Sequence, residues 1–150
     1  MTESAAICEY LAQAGTAAGL RVERDESDYP AYLNWLHRSD TTLTFPLTLV
    51  LRYSKLEPPE RQMPQVVEDY SRWFLKRAEC VEEAVRDADY LCANRFTAAD
   101  IAVVYAIYLA NKLGLGSNLG PATRNYLERA CARPGFKRAS ALQADMEPVL

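Results

Sequence analysis

The sequence predicts an all-α bundle of about six helices. Three observations carry this reading. Apolar residues recur at steps of three and four through most of the chain, while alternating runs bounded by Asn-Gly or Asp-Gly turns are missing. A Phe-Thr-x-x-Asp signature, Phe96 to Asp100, opens a run from Ile101 to Ala110 in which every residue is apolar or weakly polar. Breaker-rich stretches separate the periodic segments: "EPPERQMP" from Glu57, "LGLGSNLGP" from Leu113 and "RPGF" from Arg133.

The elements follow in order. A first helix spans Glu3 to about Gln13, with Ala6, Ile7, Tyr10 and Leu11 on one face. "AGTAAGLRVERDESD" lacks an apolar stripe and reads as a linker, with "ERDESD" a solvated charge run. A second helix starts at Tyr29–Pro30, with Asp28 as N-cap, and carries Tyr32, Trp35, Leu36 and Ser39. It continues through "TTLTFPLTLVLRYSKL", with a kink or break at Pro46. A long amphipathic helix, Gln65 to about Asp87, has Val66, Val67, Tyr70, Trp73, Phe74, Ala78, Val81 and Val85 as one buried stripe. The helix from Ala98 ends at the glycine-rich stop, and shorter helices run from Pro121 to Cys131 and from about Phe136 to Ala144. The tail "DMEPVL" is expected to be loose.

Composition narrows the function classes. The 150 residues fit one domain with a real core. A net charge of -3 and a pI near 5.2 argue against nucleic acid or an anionic membrane as partner. Cys8, Cys80, Cys92 and Cys131 show no C-x-x-C spacing and His37 is the single histidine, so no metal site is expected. No secretion signal is visible and Ile101–Ala110 is too short to span a bilayer, so free thiols in a cytoplasmic setting are the expectation.

The firm start of the central helix has a physical reading. Thr97 is placed as N-cap, its hydroxyl within reach of the Asp100 N–H and the Asp100 carboxylate within reach of the Thr97 N–H. Phe96 and Ile101 have the spacing of a hydrophobic staple across that cap. A helix apolar on all sides belongs in the middle of a bundle with neighbours all round. On these residues alone the feature is a core helix with a good cap.

The wider pattern is more specific. "RFTAADI" after "YLCAN", then the buried helix, then "YLERACARPGFKRA" resembles the C-terminal half of a cytosolic glutathione S-transferase. "TFPLTLVLRYSKLEPPERQMPQVVEDYSRWFLKR" is similar to bacterial members, and the resemblance covers Thr2 to about Ala144. It implies three regions: 1–14 as an orphan helix like the last one of the family's thioredoxin-like domain, 15–27 as linker, and 28–150 as the helical domain.

The resemblance also implies a function and a set of residues. The parent activity is conjugation of glutathione to apolar electrophiles, a detoxification chemistry. Glutathione is then a possible co-substrate, and no tightly bound cofactor is expected. Glu3 and Ser4 match the pair that opens the family's glutathione-contacting helix, where a helix N-terminus attracts a carboxylate. The bland alternative is that Thr2 or Ser4 simply caps the helix. Phe45, Arg52, Tyr53, Tyr105 and Tyr108 are implied to line the second-substrate pocket, with plain core packing as the alternative for each.

The family's catalytic Tyr, Ser or Cys lies ahead of the matched region, so no catalytic residue is assigned. Cys8 lies a turn past Ser4, away from the helix end that would activate it, and His37 reads as a surface or interface residue rather than a base. Cys80, Cys92 and Cys131 read as small buried hydrophobes and Trp73 with Phe74 as core. Whether Met1 is an internal methionine, a re-called start or the start of a remodelled member stays open. Two functions remain: a truncated glutathione S-transferase supplying pocket and dimer surface, or a non-catalytic helical dimerisation or ligand-binding module. A homodimer is expected under either.

Overall fold

The computed structural model describes residues 1–14 and 19–144. Among them the regular structure is helical throughout and no helix is long and apolar enough to cross a membrane. In chain order the helices are α1 (Ser4–Ala14), α2 (Tyr29–Arg38), α3 (Phe45–Leu51), α4 (Pro64–Ala84), α5 (Ala98–Lys112), α6 (Pro121–Ala132) and α7 (Pro134–Ala144). α2 and α3 run on from one another through a π-helical segment, and the expected all-α bundle stands. The expected tail and part of the linker lie outside the described residues.

Pro46 accounts for the irregular helix between α2 and α3. It has no N–H to donate and its ring crowds the carbonyl four residues back. The helix widens rather than breaks: Ser39–Thr44 is π-helical and the Phe45 N–H reaches the Asp40 carbonyl. Hydroxyls take up nearby carbonyls, with Ser39 Oγ donating to Leu36 O at 2.6 Å and Thr41 Oγ1 to His37 O at 3.0 Å. A second π-helical turn, Arg52–Leu56, follows α3 before the prolines.

α5 is the axis of the bundle. Ala99, Val103, Ala106, Ile107 and Ala110 are fully buried, and α1, α2, α3 and α6 pack around them. Tyr32, Leu43, Leu47, Phe74 and Tyr126 fill the space between the helices. Fully burying a side chain of this size contributes about 1.5–3 kcal/mol. One side of α5 is nevertheless open: Ile101 is 40% and Tyr105 57% exposed. The expectation of neighbours all round is corrected here, because α6 and α7 leave a groove over that line of residues.

The C-terminus of α5 shows why glycine follows it. Gly114 has φ +84°, the left-handed conformation that closes a helix. Its N–H reaches Asn111 O at 3.1 Å, and Leu115 N–H reaches Ala110 O at 2.9 Å, a Schellman closure.

Four further expectations need correction. Asp28 makes no cap bond to α2. Its carboxylate instead accepts the Ala93 N–H at 2.6 Å, bracing a loop in which Ala93 and Asn94 have positive φ. Trp73 lies at the surface, 37% exposed under the Arg77 guanidinium, because only Phe74, Ala78 and Val81 of α4 face the core. The linker is not wholly solvated: Val22 is fully buried, and Glu26 pairs with Arg95. Of the three cysteines read as buried, only Cys92 is; Cys80 and Cys131 are half-buried.

Arg95 explains how the irregular segment is held. Its guanidinium donates to both Glu26 carboxylate oxygens at 2.7 Å and to the carbonyls of Gly19 and Arg21. A planar fork with several fixed donors suits this role better than an ammonium would.

Candidate functional site

The start of α5 carries a buried polar hub. Thr97, the N-cap, is extended, and the capping box with Asp100 is closed. Asp100 Oδ2 accepts the Thr97 N–H at 2.8 Å and the Thr97 hydroxyl at 3.0 Å. Oδ1 accepts the Leu91 N–H at 3.1 Å and the Tyr126 hydroxyl at 2.8 Å. Burial pushes the Asp100 pKa up and these four donors pull it down, with burial the larger effect. Burial, together with the neighbouring Asp100 carboxyl, also holds the Tyr126 phenol well above its ordinary range. The hub fixes the helix; it is closed to solvent and has no donor to spare for chemistry.

The open side of α5 forms an apolar groove of about 560 Å³. Ile101, Tyr105 and Tyr108 fall on one face because they stand at i, i+4 and i+7. Leu20 and Phe96 also line it, and α7 contributes Phe136 and Ala139. Tyr108 meets Phe136 edge to face at 5.4 Å, with the Lys112 ammonium 5.4 Å from the Tyr108 ring centre. Arg133 lies over the Phe96 ring at 3.7 Å. Both members of the expected staple, Phe96 and Ile101, line this groove.

The residues expected in a second-substrate pocket therefore divide. Tyr105 and Tyr108 line the groove, whereas Phe45, Arg52 and Tyr53 do not. Phe45 heads α3 and is 49% exposed. Arg52 pairs with Glu57 at 2.7 Å and lies over the Tyr53 ring. The other wall of the groove, Phe136 with Arg133 and Arg138, carries no sequence signal of its own beyond the Arg-Pro-Gly-Phe breaker.

Glu3 and Ser4 stand together at the start of α1, both exposed. The Ser4 hydroxyl donates to Asp40 Oδ1 at 3.0 Å, and the Glu3 carbonyl accepts the Ile7 N–H. Further along α1, Glu9 accepts the Tyr32 hydroxyl and pairs with Arg21 at 2.8 Å. Burial, and then the Asp40 charge, raise the Cys8 pKa, which disfavours its thiolate. Among the described residues no cluster could hold a metal ion.

These features define a class: an all-α domain whose central helix is anchored by a buried carboxylate and flanked by an apolar groove. The sequence pattern of the glutathione S-transferase C-terminal domain matches residues 45–134, more than half of the chain. The chain belongs to the glutathione S-transferase family. No curated protein matches it in sequence. Solved structures do match in fold. Ure2p5 of Phanerochaete chrysosporium, crystallised with 1-(S-glutathionyl)-2,4-dinitrobenzene, superposes with a TM-score of 0.86 at 20% identity, covering 97% of this chain and 69% of that one. A sphingomonad glutathione S-transferase complexed with glutathione gives 0.80 at 18%, covering 96% and 68%. BphK, a bacterial member in a ternary complex, gives 0.81 at 16%, covering 96% and 68%.

Proposed function

We propose that this chain is the helical half of a glutathione-dependent transferase, and that its groove beside α5 seats the apolar second substrate. The groove is the observation that carries the reading. It is apolar, open to ligand, and bordered by aromatic side chains on two helices. Its volume lies within the ordinary range of small-molecule sites. α1 then stands for the last helix of a thioredoxin-like domain, with Glu3 and Ser4 holding the γ-glutamyl end of glutathione. The neighbours crystallised with glutathione or its conjugate support that assignment.

The chain's perturbed thiols and phenols all move away from ionisation. Burial raises Cys8, Cys80, Cys92 and Cys131, and it raises Tyr32 and Tyr126. The reading assigns ionisation of the glutathione thiol to a thioredoxin-like domain, and binding and orientation to this chain. Assays with glutathione and an aryl halide test this directly. The purified chain should show no conjugation above the uncatalysed rate, while calorimetry detects glutathione binding that Ser4→Ala weakens. Conjugation by the chain alone overturns the division of labour. Absence of glutathione binding removes Glu3 and Ser4 from the site.

A second role, as a dimerising module, is favoured by the outer face of α1. Tyr10 is 57% and Leu11 60% exposed on one helix, and adjoining apolar surface of this kind marks an interface. Light scattering at micromolar concentration should give twice the monomer mass, and Leu11→Glu should return it to monomer without lowering helicity. A monomer at all concentrations removes this role.

A further inference from the structure

The groove beside α5 is apolar along its floor, yet its charged lining side chains, Arg133 and Arg138, share one sign and no acid lines it. Composition does not account for this, since the chain has 20 acidic and 17 basic residues. Arg21, Arg52, Arg61, Arg72, Arg95 and Arg129 each have a carboxylate within 4 Å. Among the described residues Arg133 and Arg138 have none, and neither do Arg24, Arg38, Arg77, Arg86 and Arg124; what sets this pair apart is that both line one groove with no acid beside them.

The Arg133 guanidinium carbon lies over the Phe96 ring, 3.7 Å from its centre. A guanidinium held against a ring through its carbon still has N–H groups at its edge that can donate. Arg133 also sits at the C-terminal end of α6, where a cation is favourable. That accounts for one charge. It leaves Arg138, the fifth of the eleven residues of α7, which lies beyond the first turn and has no helix end to offset its charge. An anion in the groove would pair with it.

The apolar part of the occupant is indicated by the walls. Phe96, Tyr105, Tyr108 and Phe136 present four aromatic rings, and rings recognise one another by offset and edge contacts. A carboxylate matches the guanidinium fork in two parallel hydrogen bonds. We propose that the groove binds a small aromatic carboxylate, with its ring against Tyr105, Tyr108 and Phe136 and its carboxylate on Arg133 and Arg138. This rests on the groove being the second-substrate site and narrows its ligand from any apolar molecule to one bearing an anion.

The test compares 2-naphthoate with 2-naphthalenemethanol, matched in shape and differing in charge, by calorimetry on the whole chain. Naphthoate should bind about tenfold more tightly, the worth of one charge-assisted hydrogen bond. The preference should shrink as salt rises from about 20 to about 500 mM. Arg138→Gln should remove most of the preference and leave the alcohol's affinity unchanged; Arg138 is exposed, so the variant keeps the fold. Tyr105→Ala should weaken both ligands alike. Equal affinity for the two ligands overturns the anion assignment and leaves the apolar groove standing. Binding of neither overturns both readings. A preference that survives in Arg138→Gln and also in Arg133→Gln puts the anion elsewhere and overturns the proposal. Naphthoate that binds only by dissociating an oligomer seen in light scattering overturns it too, because a second copy then covers the groove.

Discussion

The Tyr126 hydroxyl of α6 donates to the Asp100 carboxylate of α5 at 2.8 Å, both groups fully out of solvent. It ties the cap of the central helix to a neighbouring helix, so local and tertiary structure share one carboxylate. Replacing Asp100 with Ala would strand the Leu91 and Thr97 N–H groups and the Tyr126 hydroxyl. At about 1–3 kcal/mol for each stranded buried donor, partly relieved by relaxation, the loss should be about 3–5 kcal/mol. Tyr126→Phe removes one donor and should cost about 1 kcal/mol, and Thr97→Ala about 1–2 kcal/mol. Urea midpoints with unchanged m-values check all three. Asp100→Ala costing no more than Tyr126→Phe would mean water repairs the hub.

Glu82 of α4 caps α6 from outside. Its carboxylate accepts the N–H groups of Ala122 and Thr123 at 3.1 and 2.8 Å and the Thr123 hydroxyl at 2.9 Å. Gly120 leaves the room for this, since a Cβ there would stand 2.2 Å from the carboxyl carbon. Glu82→Ala should therefore cost about 1–2 kcal/mol, as an N-cap loss does. Gly120→Ala should cost a similar amount by displacing the same group. The double variant should be less destabilised than the two singles added together, because one cap cannot be lost twice. Full additivity in thermal melts would show that Gly120 matters for another reason.

The contrast between these two caps explains what the sequence discloses. Thr97 and Asp100 stand three residues apart, so their chemistry is legible as a local pattern. Tyr126 reaches the same carboxylate from 26 residues away and Glu82 reaches Thr123 from 41. No spacing rule predicts such contacts; packing makes them. The groove divides in the same way. Tyr105 and Tyr108 are legible because a helix brings them to one face, while Phe136 and Arg133 join them only through the placement of α7. Trp73 falls outside the core because an apolar period marks a stripe wider than the strip that touches neighbouring helices. Val22 is buried without a periodic signal because an irregular segment has no period to read.

Stability should fall in acid through the Arg95 clamp. The Arg95 side-chain hydrogen bonds, helped by the Glu23 backbone, hold the Glu26 carboxyl at about 2, below its ordinary 4.5. A carboxyl lowered in the fold contributes fully above its unfolded pKa and is lost as pH falls through the folded value. The window thus runs from about 4.5 down to about 2. Asp100 acts in the opposite sense. Its folded pKa is raised, so its ionisation costs the fold as pH rises past the ordinary carboxyl value. Thermal melts of wild type and Glu26→Gln should differ at pH 7 and converge near pH 2. A gap that stays constant across that range would show that the clamp works through shape rather than charge.

The same burial that builds the hub should silence its thiol. Cys92 lies 3.9 Å from Thr97 Oγ1. Burial lifts its pKa to about 11; the Thr97 hydroxyl opposes this, while the Asp100 and Asp28 charges add to it. Only the thiolate reacts, so at pH 7 the reactive fraction is roughly two to three orders of magnitude below that of a free cysteine. Cys8, Cys80 and Cys131 are raised too, but they are half-buried and so more accessible. Iodoacetamide followed by peptide mass spectrometry should label these three slowly and Cys92 slowest, with all four converging in urea. Cys92 labelled as fast as Cys8 in the native protein would mean that the start of α5 opens readily. The stability assigned to the Asp100 hub would then be too large.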